Sequence, residues 1–386
     1  MRAKSVTGNS TAAIQSALLQ AMSDGFTPTL AIVFISVKQD RRAICELLSK
    51  YHIDIVGATS AGEFTNHRQS DGETAMLLFD INKEYYRILF RDTKDKNVTD
   101  TAKEATTAAL AAFDHPAFII CSTCIAENGW VYDGVGLIHS IRNVAGANAP
   151  VFGAMSGDDG LLKGTYVFTA EQLSNEGFVM LALDHNKIEL YGMAISGWKP
   201  LGKTRTVTKC EDGWLCTIDD QPALDMYLRY LGQSLQTGEG GQKLVFVEDV
   251  GFYYPFLAID AGEPSLRTPM EVSREKNAIR LDIAIPEGKQ LQFTLPPDFD
   301  IVESVLEKAA ALKQSKQAEA DALLIFSCLG RRSVLGPMVK EENEGLQKIW
   351  NAPMAGFFSY GEYGKDPAND HVFHSITCSW VALKEK

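Results

Sequence analysis

Three short segments of this 386-residue chain carry a serine and an acid at one fixed spacing. Gly57, Ser60 and Glu63 recur as Gly153, Ser156 and Asp159, and again as Gly356, Ser359 and Glu362: glycine, serine three residues later, acid six residues later. A serine on a tight turn after a strand is where acyl-transfer enzymes place a nucleophile, and Ser60 in Ala-Thr-Ser-Ala-Gly and Ser359 in Phe-Phe-Ser-Tyr-Gly have that outline. The first glycine of such an elbow is missing from both, and no His/Asp pair marks itself as a partner. The simpler reading is a hydroxyl that satisfies backbone amides at a turn. Such a turn still serves to line a ligand pocket, because ligand sites gather at strand ends in α/β sheets. Hydrolysis through Ser60 or Ser359 stands as the alternative to binding.

Four other groups could do chemistry. Gly197 to Thr204 fits the pattern of a phosphate-binding loop, but Arg205-Thr206-Val207-Thr208 after it reads as a strand, and without a helix N-terminus the anion site is lost. Cys121 and Cys124 have redox spacing, yet the next helical pattern starts several residues later, which leaves two small buried residues as the plainer reading. No His follows Cys124, so c-type haem attachment is excluded. His371 and His374 lie in HVFHSITCSW, read as one strand with Val372, His374, Ile376, Cys378 and Trp380 on a common face. His374 is thus either a hydrogen-bonded core residue or a haem or ligand contact, and His67, after the first signature, is the second candidate for iron. Arg331 closes Ser-Cys-Leu-Gly-Arg at a strand end and offers a planar donor fork to an anion or a carboxylate.

The elements that must position these residues repeat as well. Leu30–Ser36, Ala117–Ser122 and Ala322–Cys328 are apolar runs of strand length, as expected of strands covered on both faces. Amphipathic helical patterns precede them at Thr11–Ser23, Asp100–Phe113 and Asp300–Gln314, and follow them at Arg41–Tyr51, Val131–Val144 and Glu341–Trp350. A signature closes every copy. The first two copies also carry two strands joined by a matching turn, Asp80 to Lys83 and Asp184 to Lys187, which predicts hairpins. The expected fold is α/β with mixed sheets: repeated helix-strand-helix-strand units, antiparallel strand pairs and two domains. Residues 1–200 hold two copies, and residues 201–386 hold a β-rich insert and the third.

Composition narrows the function classes. Apolar residues make up 45% of the chain and charged residues 22%, as in ordinary globular proteins. A net charge of −12 without a basic cluster disfavours nucleic acid and anionic membranes as partners. The first residues lack the apolar block of a secretion signal, and seven scattered cysteines suit reduced thiols. Together these predict a soluble cytoplasmic protein.

At these residues the chain resembles the FIST family of bacterial sensory modules. The resemblance rests on IVGATSAGEF, VFGAMSGDD, GWKPLG followed by VT, PALDMYLRYLG, IPEG, SCLGR and MAGFFSYGEYG in order, from about Thr29 to Gln221 for the N-terminal part and Pro222 to Lys365 for the C-terminal part. It implies a signal-transduction sensor rather than an enzyme. A chain without an output domain is similar to the haem-binding, nitric-oxide-sensing NosP group, which implies haem b with nitric oxide as one candidate ligand; the other is an amino-acid-like metabolite, for which Arg331 and the acids would supply paired charges, with no further cofactor. It also implies a separately encoded histidine kinase or cyclic-di-GMP enzyme as partner; self-association into a homodimer is a further expectation. The ligand site is expected at Ser60, Gly62, Glu63, Gly157, Asp158, Arg331, Tyr360, Gly361 and Glu362, with His374 and His67 as the candidates for haem iron.

Overall fold

The structure, a computed structural model, describes residues 1–66, 68–232, 246–259, 264–298, 300–366 and 370–386. The first copy runs through β1 (Arg2–Gly8), α1 (Thr11–Met22), β2 (Leu30–Ile35), α2 (Arg41–Lys50), β3 (Asp54–Thr59), β4 (Glu63–Thr65), β5 (Arg68–Ser70), β6 (Thr74–Asp80) and β7 (Tyr86–Asp92). The second supplies α3 (Val98–Ala112), β8 (Pro116–Ser122), α4 (Gly134–Ala145), β9 (Val151–Met155), β10 (Val167–Phe168), β11 (Leu173–Ser174), β12 (Gly177–Asp184) and β13 (Ile188–Ile195). The insert holds β14 (Lys199–Glu211), β15 (Trp214–Ile218), β16 (Gln221–Pro222), α5 (Ala223–Leu231), β17 (Phe256–Ile259), β18 (Ser265–Arg267), β19 (Pro269–Ser273), β20 (Ala278–Leu281) and β21 (Gln290–Leu295). The third copy follows as α6 (Ile301–Lys316), β22 (Ala322–Cys328), α7 (Leu329–Leu335), α8 (Met338–Trp350), β23 (Met354–Ser359), β24 (Glu362–Lys365), β25 (His371–His374) and β26 (Cys378–Glu385).

Local chemistry starts these elements. Ser10, Asp40, Asn97 and Asp133 each accept a hydrogen bond from a first-turn amide of α1, α2, α3 and α4. Strands β2, β8 and β22 are buried at every position, which is why they are apolar without alternation.

One topology serves all three copies. The two buried strands run parallel, β2 with β3, β8 with β9 and β22 with β23. A returning strand pairs antiparallel with the first of them: β6, β12 and β26. Its outer edge is taken by a strand from the copy before, β7 on β12 and β13 on β26, while β1 fills that place on β6. The hairpin after each signature leaves its own sheet: β4–β5 joins β23, β10–β11 joins β3, and β24–β25 joins β9. The sheets therefore share one order, threaded cyclically, and the three copies are structural equivalents strand for strand.

Two readings of the sequence are corrected here. The turns at Asp80–Lys83 and Asp184–Lys187 do not close hairpins, because β6 and β12 already have a partner on each edge and the chain passes on to the next sheet. The segment His371–Trp380 is not one strand. It breaks at Ser375–Thr377, where Ile376 adopts φ 57°, a conformation unusual for a β-branched residue, and β25 and β26 go to different sheets.

The inner faces of the three sheets share one core, in which Phe34 lies 4.5 Å from Phe357 and 6.1 Å from Phe326, centroid to centroid. Outside, Ile14 and Leu18 of α1 and Ile44 and Leu48 of α2 pack with Val33, Ile35, Met76 and Leu78. The chain forms two compact units, one of residues 1–195, 302–332 and 337–386, the other of residues 196–301 and 333–336. The second has its own sheet, in the order β18-β17-β21-β14-β15-β20-β19 with β16 on β15, and a core in which Tyr227 meets Phe246, Phe256 and Phe293. Strand β14 covers most of the phosphate-loop pattern, so the helix that the pattern needs is replaced by a strand. Because Phe357 joins strands of the first and third copies, Phe357→Ala is expected to lower unfolding free energy by about 3–5 kcal/mol, read from chemical denaturation.

Candidate functional site

Each signature serine follows a parallel strand, and each turn leans on the copy next to it. Ala61 N–H donates to Phe358 O at 2.9 Å, Gly157 N–H to Thr59 O at 2.9 Å, and Tyr360 N–H to Met155 O at 3.3 Å. These are the same bond made three times, from the residue after the serine in one copy to the residue before it in another. Two of the three places also carry the reverse bond, Phe358 N–H to Gly62 O at 2.8 Å and Met155 N–H to Gly361 O at 2.8 Å. The turns thus close a ring. Ser60, Gly62, Glu63, Gly157, Asp158, Tyr360, Gly361 and Glu362, expected at the site from sequence, all belong to it.

Close approach explains the glycines. A Cβ on Gly62, whose φ is 116°, would stand 2.7 Å from both Arg332 and Asp71, and one on Gly157 would stand 2.7 Å from the Ala61 nitrogen.

The acids are built in, not displayed. Ser359 Oγ donates to Glu362 Oε1 at 2.7 Å, and Glu362 Oε2 accepts from Thr377 N–H at 3.1 Å and Thr377 Oγ1 at 2.8 Å. The first copy repeats the arrangement: Ser60 Oγ donates to Glu63 Oε1, and Glu73 N–H donates to Glu63 Oε2 at 3.0 Å. In both, a carboxyl ties the signature serine to the backbone just before the returning strand. All four side chains are fully buried. Burial pushes the Glu63 and Glu362 carboxyls up to about 8, against the hydrogen bonds that pull them down. A hydroxyl donated to a sealed carboxyl is a brace, which weighs against Ser60 or Ser359 as a hydrolytic nucleophile.

The second copy departs from this plan. Asp159, one methylene shorter, bonds Ser36 Oγ at 2.8 Å and pairs with Lys38 at 3.1 Å, while Ser156 Oγ donates to the Ser122 and Tyr166 carbonyls. Its neighbour Asp158 accepts from the amides of Leu162, Lys163 and Gly164 and from Tyr360 Oη, so it fixes a loop and latches the second copy to the third. Burial and Asp158 together push the Tyr360 phenol far up.

Arg331 is fully buried and bidentate to Glu342, 2.5 Å from Nη2 to Oε1 and 3.1 Å from Nε to Oε2. Burial works against its charge, and the carboxylate of Glu342 more than restores it. The partly exposed arginine beside the ring is Arg332, which pairs with Asp71 at 2.6 Å and donates to Ala61 O at 3.3 Å. His374 is buried on β25, its Nε2 3.3 Å from Gly364 O. His371 bonds Val151, and burial lowers it to about 4. His67 lies outside the described residues. Cys121 is buried, its thiol pushed up to about 12 by desolvation, and neither Cys121 nor Cys124 is in a disulfide. Among the described residues no three His, Cys, Asp or Glu side chains group to hold a metal ion, and no helix is long and apolar enough to cross a membrane.

Sequence spacing missed Thr377, Glu73, Glu342 and Arg332. Thr377 and Glu73 lie just before returning strands and Arg332 and Glu342 on α7 and α8, and each meets its partner only through the folding of the chain, which spacing along it does not carry.

Comparison with protein families gives two matches, the FIST N domain over residues 29–221 and the FIST C domain over residues 223–365. A search of curated proteins gave no match.

The raised carboxyls set a pH dependence. Between the ordinary 4.5 and about 8 the folded protein keeps protons that the unfolded chain has released, so their contribution to stability is complete below pH 4.5 and is lost as pH rises through 8. Urea unfolding is therefore expected to show lower stability at pH 9 than at pH 6. In a Glu63→Gln, Glu362→Gln double variant the difference is expected to shrink, and an unchanged difference would count against buried neutral acids.

Proposed function

We propose, from the premise that this chain belongs to the FIST family, whose domains are signal-transduction sensory domains, that it binds a small ligand and passes its presence to a separately encoded signalling enzyme. The observation that supports this most is the ring of turns. Three chain segments far apart in sequence meet in one hydrogen-bonded junction, so displacement of one turn is felt by the others. A ligand shifts a partner only through different affinity for two states, and a packed ring with two protonatable carboxyls provides discrete states to choose between.

For the ligand, an amino-acid-like polar metabolite is the reading we favour over haem with nitric oxide. What supports it is that the part-exposed groups beside the ring are charged and hydrogen-bonding, the Arg332–Asp71 and Lys38–Asp159 pairs, which suit the ends of a polar metabolite. The described candidate for iron, His374, already faces a backbone carbonyl. A histidine kinase or a cyclic-di-GMP enzyme is the proposed partner.

An absorption titration with haemin, before and after dithionite and nitric oxide, separates the two ligand classes. We expect no saturable Soret band, and stabilisation by an amino acid in a thermal-shift screen. A band saturating at one haem per chain and lost in His374→Ala would instead make the protein a haem sensor.

A further inference from the structure

Helices α2, α4 and α8 are equivalents in the three copies, yet they are seated differently. Helix α2 buries Ile44, Cys45, Leu47 and Leu48, and α4 buries Leu137, Ile138 and Ile141 with Gly134 and Ser140. Helix α8 buries Glu342 and Asn343 beside Val339, Leu346 and Trp350. Asp40 and Asp133 cap the first two helices through side-chain hydrogen bonds, whereas Pro337 before α8 makes none. Gly345, in the middle of α8, admits Leu306 of α6 but adds little helix propensity.

The sheet face beneath α8 is polar as well. Ala322, Leu324 and Phe326 of β22 and Val381 and Leu383 of β26 belong to the shared core, so alternation turns Ser327, Cys378 and Trp380 to the opposite face. Trp350 of α8 meets Trp380 there, with ring centroids 5.4 Å apart. Asn343 is 3% exposed, and neither its amide nitrogen nor its amide oxygen has a hydrogen-bond partner within the protein. The same holds for the buried Ser327 hydroxyl and for the indole N–H groups of Trp350 and Trp380. The Cys378 thiol is fully buried and pushed far up, by burial first and by the Glu342 charge next. The buried pair of Arg331 and Glu342 completes the layer.

Apolar faces hold a helix in place because parting them exposes apolar surface to water. A polar layer resists less. Parting it gives water to every unpartnered group, and it hydrates an ion pair whose desolvation offsets much of its attraction. We propose that α8 is the mobile helix of the three-copy unit, lifting from its sheet as one piece while α2 and α4 stay seated. Its anchor adjoins the ring of turns. Arg331 is followed on α7 by Arg332, which holds Asp71 and Ala61 O, and the Glu362 charge acts on Arg331 too. A change at the signature turns thus reaches α8 through two consecutive arginines without crossing the aromatic core. The lifting of α8 stands apart from the sensory reading; its use as an output rests on that reading.

Alkylation of the native full chain with N-ethylmaleimide at neutral pH, followed cysteine by cysteine by peptide mass spectrometry, tests the proposal. Cys378 beneath α8 and Cys121 in the shared core are both fully buried, so the two thiols differ in what must open to expose them. Cys378 is expected to react about tenfold or more faster than Cys121, the effect of roughly one unpartnered buried group. Amide hydrogen exchange is expected to run faster in Met338–Trp350 than in Arg41–Lys50 and Gly134–Ala145. Asn343→Leu, which replaces two unpartnered groups by an apolar side chain of similar volume, is expected to slow both the Cys378 reaction and exchange in α8 while leaving Cys121 unchanged. Equal rates at Cys378 and Cys121, or α8 amides as protected as those of α2 and α4, would overturn the proposal. A fast Cys378 under a protected α8 would place the opening elsewhere and overturn it equally, and so would unchanged rates in Asn343→Leu. The comparisons within the unaltered chain decide the matter even where that variant does not fold.

Discussion

A carboxyl group sealed from water must either be neutral or be surrounded by donors, and Glu63 and Glu362 sit where both conditions meet. Each is held by its signature serine on one side and by the backbone before the returning strand on the other. That clamp sets the path of the turn. The path in turn sends the hairpin out of its own sheet and into another, which is what locks three α/β copies into one body. The shared aromatic core around Phe34, Phe326 and Phe357 can form only because the sheets are interlaced in this way.

The ring is not symmetric, and the asymmetry is chemically ordered. Two copies carry a buried glutamate; the second carries Asp159, paired with Lys38, and Asp158, which organises a loop and receives Tyr360. In the third copy the helix layer also turns polar, with Arg331, Glu342 and Asn343 where the first copy is apolar. Departures from a repeat mark where packing has been given up for something else, and both departures here add hydrogen-bonding groups inside the protein.

Much of this was legible from sequence. Apolar runs and helical periodicity located β2, β8 and β22 and the helices on either side of them, because burial on both faces of a strand leaves an unmistakable pattern. The Gly-Ser-acid spacing located the turns, since a Cβ on Gly57, Gly153 or Gly356 would come within 3 Å of the Phe168 ring or of the neighbouring strand's backbone. What spacing could not give was partnership. The turns at Asp80 and Asp184 look like hairpin turns because a local turn has the same residues whether the strands beyond it pair or part. Likewise Ile376 gives no warning of its left-handed conformation, and Arg331 reads as a free fork until Glu342 is seen to hold it.

The central claim is that the three signature turns act as one unit, and hydrogen exchange of backbone amides in a Ser359→Ala variant tests it most directly. Ser359 belongs to the third copy and touches Glu362, while the amides of Ala61 and Gly157 report on the first and second copies. The account predicts that exchange at Ala61 and Gly157 quickens together with exchange at Tyr360. If only Tyr360 quickens and the other two amides keep their protection, the turns are neighbours and not a coupled ring.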